Sequence, residues 1–168
     1  ERAILAYQHA VTTLRAVRRD LVASGSRTSF RDSVGPVFFQ LADLLLERSG
    51  TVSDPQQVAQ LLIDARSAVE VLKGAELQDY FQDDCVTALR ARTTGIDQLA
   101  SNTAALYPII LPDRLELLLS MPEGIRRFTT PVDAATLTRE IRAFRLLLGK
   151  RTTHQYLPHA QKLYDWLI

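Results

Sequence analysis

The chain of 168 residues is 46% hydrophobic and 23% charged, a composition of folded globular domains that speaks against both disorder and a disulfide scaffold. Twenty basic and nineteen acidic side chains leave a net charge of +1, which provides no long-range field to draw in nucleic acid or an anionic membrane. No apolar run approaches the roughly 20 residues of a membrane span, and no cationic stretch precedes an apolar block at the N-terminus, so a cytoplasmic protein with neither a nucleic-acid nor a membrane partner is expected.

The first predicted element covers residues 3 to 22, where Ala3, Tyr7, Ala10, Val11, Leu14, Val17 and Leu21 recur at helical spacing with arginines opposite. It starts without a capping residue, which places its expected true start upstream of Glu1. Ser24 to Ser29 supplies turn and capping chemistry. A second helix follows from Phe30 to about Arg48 on Val34, Val37, Phe38, Leu41, Leu44 and Leu45. Pro36 is tolerable only near its beginning, because an interior proline removes a hydrogen bond and clashes with the preceding turn.

Ser49-Gly50 closes that helix, and Ser53-Asp54-Pro55 opens a third. Asp54 reads as the N-cap, Pro55 as the first helical residue, and Gln57 lies three residues beyond the cap. Val58, Leu61, Leu62, Ala65, Ala68, Val69 and Leu72 form its stripe, and Leu77, Tyr80, Phe81 and Val86 extend it past Gly74 into a long helix with room for a kink. Three amphipathic helices joined by short polar turns predict an antiparallel stack of the kind found in repeat arrays, although no internal period establishes a repeat.

Residues 91 to 103 are polar and read as a connector. The hydrophobic period then changes near Ala104. Leu106 to Leu111, Leu115 to Met121 and Ile125 to Val132 predict a three-stranded meander turned at Pro112-Asp113 and Pro122-Glu123-Gly124. Pro108 cannot donate to a ladder, so the first strand must be an edge there, contain a bulge, or begin after it. Asp133 then caps a helix with the stripe Leu137, Ile141, Phe144 and Leu148, expected to cover the meander. A last amphipathic piece after Pro158 groups Leu163, Trp166 and Leu167. The fold class expected is α+β and mostly helical.

No constellation of catalytic side chains emerges. Cys85 excludes an intrachain disulfide, and Asp83 and Asp84 beside it disfavour the thiolate that a nucleophile requires; a packed structural cysteine is the expectation. His154 and His159 stand five residues apart across Tyr156-Leu157-Pro158, which spoils the four-residue spacing of a helical zinc pair, and no acidic partner is near them in sequence. His9 reads as a surface or boundary residue. The carboxylate pairs Asp83 with Asp84 and Glu76 with Asp79 carry little specificity. Arg15, Arg18 and Arg19 on one helix, and Arg139, Arg142 and Arg145 on another, read as solvated faces because aromatics do not interleave them. Catalytic, cofactor-binding and metal-ligating residues are therefore expected to be none.

Three segments carry a resemblance. The run from Ala75 to Cys85 (AELQDYFQDDC), the strand pair from Leu106 to Leu119 (LYPIILPDRLELLL), and the ending from Tyr156 to Ile168 (YLPHAQKLYDWLI) together resemble the opening of a CHAT domain. This family comprises bacterial caspase-like cysteine peptidases and their relatives, commonly preceded by TPR-type helical repeats. The resemblance covers residues 60 to 168, and the first 50 more loosely as the end of a repeat region.

The resemblance implies a TPR-like helical or linker region over 1–90 and the incomplete N-terminal part of a caspase-like α/β domain over 104–168. It implies that the family's catalytic His and Cys lie beyond Ile168 and match no residue here, so that Cys85 is not the nucleophile. Its expected partners are the remainder of the peptidase domain, awaited by Trp166 and Leu167, and protein partners of the helical region. The alternative is a stand-alone helical interaction or scaffold module without catalytic activity.

Overall fold

The structure is a computed structural model that describes residues 1–23, 30–81, 103–150 and 153–168. Among them are five helices and a three-stranded antiparallel sheet, an α+β and mostly helical fold. The elements are α1 (Arg2–Ala23), α2 (Phe30–Ser49), α3 (Pro55–Phe81), β1 (Ala105–Ile110), β2 (Leu115–Met121), β3 (Gly124–Thr130), α4 (Ala134–Leu148) and α5 (Leu157–Leu167). They form two compact units: Glu1–Ala105 with Ser120–Arg126, and Leu106–Leu119 with Arg127–Ile168.

In the first unit α2 packs against both α1 and α3. The reason is the spacing of its apolar side chains. Phe38, Leu41, Ala42, Leu45 and Leu46 are buried at successive i+3 and i+4 steps, as are Leu62, Ala65, Val69 and Leu72 on α3. Each large side chain so buried is worth roughly 1.5–3 kcal/mol. Ser49 ends α2 by donating its buried hydroxyl to the Leu46 carbonyl at 2.7 Å. The amide of Gln56 donates to Asp54 Oδ1 at 3.2 Å, and the Val58 amide bonds to the Asp54 carbonyl at 2.9 Å, which verifies Asp54 as the cap of α3.

Three details of the helical reading are corrected. Pro36 lies in the second turn of α2, inside the helix, where the backbone bond of that turn is forfeited and the residue is exposed. Ala3 is exposed and its place on the buried side of α1 is taken by Ile4, which is half-buried as Tyr7 is. Leu77 is exposed on α3 and does not continue its stripe beyond Ala75; the side chains of Tyr80 and Phe81, and Val86, Cys85 and the connector beyond, lie outside the described residues.

The sheet order is β1-β2-β3, so Pro108 falls in an edge strand, where a missing donor is tolerated. The Leu111 amide donates to the Arg114 carbonyl at 2.9 Å to close the first turn. Pro122 and Glu123 make the second, and Gly124 leaves it at φ +133°, a backbone conformation that side-chain-bearing residues rarely adopt. Central β2 is buried along both faces from Leu115 to Leu118.

The second unit has its own core. Leu115 and Leu117 of β2 meet Val132, Leu137 of α4 and Leu163 of α5, with Ile141, Phe144, Trp166 and Leu167 packed against them. Asp133 caps α4 through the Thr136 amide at 2.8 Å and the Thr136 hydroxyl at 2.8 Å, and the Ala134 amide ties the helix start to the Pro112 carbonyl at 3.3 Å. The Thr130 hydroxyl donates to the Trp166 carbonyl at 3.0 Å and fixes α5 on β3. Two expectations change here. Trp166 and Leu167 already pack on this core, because α5 turns its apolar stripe inward. Leu148 is 47% exposed, since the core ends at Phe144 although the period continues.

Candidate functional site

The polar chemistry of the second unit concentrates in two places, each centred on a glutamate. Glu116 stands in central β2 between Leu115 and Leu117, so its side chain takes the opposite face from theirs. That face is covered too, and Glu116 is 0% exposed. Burial of a charge without partners would be costly, and four donors meet it. Arg127 gives Nε to Oε2 at 2.8 Å and Nη2 to Oε1 at 2.6 Å, Arg114 gives Nε to Oε1 at 2.7 Å, and the Thr129 hydroxyl reaches Oε2 at 2.8 Å. Arg114 also reaches the exposed Asp113 at 3.1 Å.

Burial pushes the Glu116 carboxyl up, but the bonds from Arg127, Arg114 and Thr129, together with the charge of Arg127, outweigh it and hold the group below its ordinary value of 4.5. The carboxylate is ionised and saturated, with both arginines bent onto it. Such a group is a structural clamp between β2, β3 and the first turn, and it has no free lone pair directed at a substrate.

The second glutamate, Glu140 of α4, faces α5. His159 Nδ1 donates to Oε1 at 2.5 Å and Lys162 Nζ to Oε2 at 3.2 Å, because a carboxylate only accepts. The Glu140 carboxyl is held below the ordinary range chiefly by the His159 hydrogen bond, against its partial burial, and with help from Lys162. Lys162 Nζ also sits 5.1 Å from the centre of the Trp166 ring, a cation–π distance. This cluster joins α4 to α5.

His159 therefore has an acidic partner, supplied by another helix although none is near it in sequence. His154 is elsewhere occupied, edge-on to Tyr156 with ring centres 6.2 Å apart. His9 is exposed on α1. Among the described residues no group of three or more His, Cys, Asp or Glu could hold a metal ion. Cys85, Asp83 and Asp84 lie outside the described residues, Glu76 is half-buried on α3, and Arg15, Arg139, Arg142 and Arg145 are exposed. No described helix is long and apolar enough to cross a membrane.

In the first unit, Arg66 of α3 is 2% exposed and donates Nη1 to the Ser120 hydroxyl at 2.8 Å, which brings the helix to the tip of the β2–β3 hairpin. The same unit contains an open groove of about 450 Å³ with Ile4, Leu5, Val52 and Leu61 on its walls. Glu1 and Arg48 bridge its rim at 3.1 Å, and Gln57 and Gln60 complete it. An apolar groove with a few polar groups suits a side chain or a helix of another protein better than it suits bond-making chemistry. Neither Glu116, Glu140 nor the groove was singled out from sequence. The arginine pair Arg126-Arg127 opening β3 was the available sign of a buried acid on the neighbouring strand. No protein-family model, curated protein or solved structure matches this chain.

Proposed function

We propose that this chain is the non-catalytic N-terminal portion of a CHAT-domain caspase-like cysteine endopeptidase, joining a TPR-like, partner-binding helical region to the peptidase core. The supporting observation is the surface of the second unit. A meander and two helices bury a small core, yet Phe128 on β3 and Tyr164 on α5 remain exposed as large apolar side chains. Exposed large apolar side chains on a small layered unit fit the start of a larger α/β domain whose next layer covers them.

The stand-alone scaffold reading has its own observation, the groove of Ile4, Leu5, Val52 and Leu61. Both readings keep chemistry off these residues. A thiol-reactive activity probe applied to the natural protein, followed by peptide mapping, separates them: the peptidase reading expects label on a cysteine C-terminal to Ile168. Label on Cys85, or none on any cysteine, would overturn it.

A further inference from the structure

The outer face of α4 is basic because the structure removes its one acid. The helix has four charged side chains, Arg139, Glu140, Arg142 and Arg145. Glu140 is turned to α5 and held by His159 and Lys162, while the three arginines are exposed. Arg139 bonds to the Thr136 hydroxyl at 3.0 Å. Among the described residues no carboxylate forms an ion pair with any of the three.

At 3.6 residues per turn, positions 135, 139, 142 and 146 share one side of α4, flanked by 138 and 145. Small side chains leave a shallow trough of about 540 Å³ along Ala134, Ala135 and Thr138, walled by Arg139 and Arg142. Leu146, 71% exposed, stands at the other end of the same face. Arg139 to Arg145 extends over about 9 Å of helix, and alternate side chains of an extended peptide are about 6.6 Å apart. Two carboxylates of such a peptide fall within this row.

We propose that this face docks an acidic segment of a partner protein, its carboxylates on Arg139, Arg142 and Arg145 and an apolar side chain on Leu146. Charge complementarity selects the occupant. Nucleic acid fits less well, because no exposed ring interleaves the arginines to stack a base, Phe144 being turned to the core. The proposal is independent of whether a peptidase core follows the chain.

The test is fluorescence anisotropy of the whole chain with a short labelled glutamate-rich peptide carrying one leucine, competed by unlabelled peptide or by single-stranded oligothymidylate. Saturable binding is expected at low salt, about tenfold weaker in Arg139→Glu/Arg142→Glu and unchanged in Arg15→Glu on α1. Leu146→Ser is expected to weaken it further. Arg142→Gln, with melting by circular dichroism, keeps the test valid should the double reversal not fold. Absence of binding, equal binding by the reversed variants, or displacement by oligothymidylate at lower concentration than by peptide would overturn the proposal.

Discussion

Replacing Glu116 tests whether the buried clamp holds the second unit together. In Glu116→Ala, Arg114 and Arg127 face each other across the vacated carboxylate position. Removing one partner of a buried ion pair costs roughly 3–5 kcal/mol. The side chains of Arg114 and Arg127 are 17% and 22% exposed, so each guanidinium can turn partly to water, which reduces the expectation to roughly 2–4 kcal/mol. Glu116→Gln keeps the volume but loses the charge and replaces one accepting oxygen by an NH2 group that meets donors, for roughly 1.5–3 kcal/mol.

Trp166 is the sole tryptophan of the chain and packs on the core of this unit, so its fluorescence in urea reads the transition locally. The pH dependence sharpens the test. The folded carboxyl titrates below 4.5, so in the interval between its folded pKa and 4.5 the unfolded chain binds the extra proton and stability rises with pH. The contribution is complete above about pH 4.5 and is lost as the pH falls through the folded value. Asp133 and Glu140, whose carboxyls are also held low by their hydrogen bonds, weaken both proteins alike. The gap between wild type and Glu116→Gln should thus be full near neutrality and narrow below about pH 4.5. A neutral-pH loss under about 1 kcal/mol in Glu116→Ala, or a gap indifferent to acid, would refute the reasoning.

Leu137, 2% exposed in the same core, should lose roughly 2–5 kcal/mol as Leu137→Ala in the same urea assay. Gly124→Ala meets no atom within 4 Å, so only the backbone conformation at φ +133° opposes it; a loss of about 1–3 kcal/mol is expected, and none would mean that the hairpin rearranges freely. Ser120→Ala removes one hydrogen-bond partner of buried Arg66, which keeps others, and should cost about 0.5–1.5 kcal/mol in thermal unfolding followed by circular dichroism.

The local features were legible because their causes are local. Asp54 and Asp133 identified helix starts through capping chemistry, and the change of period with Pro-Asp and Pro-Glu-Gly turns located all three strands. Leu148 failed because periodicity continues along a helix after the surface it packs on has ended. Trp166 and Leu167 share one face as their spacing implies, but which surface they meet depends on how α5 closes onto β2 and α4. Glu140 and His159 lie 19 residues apart on different helices, beyond any spacing rule. Glu116 was hidden in a partly alternating strand, where an acid between leucines ordinarily marks the wet face. Here that face is buried as well. Counting back from a two-residue turn at Pro122-Glu123 puts Thr129 opposite it and Arg127 one diagonal away, a pattern readable only once the turn length is known.

The most direct test of the proposed role is a denaturing intact-mass spectrum of the natural protein. The account predicts a longer polypeptide, or a second co-purifying chain, carrying a parallel-sheet domain with a histidine and a cysteine at strand ends. A single species near 18.8 kDa would contradict it and leave the interaction module as the function.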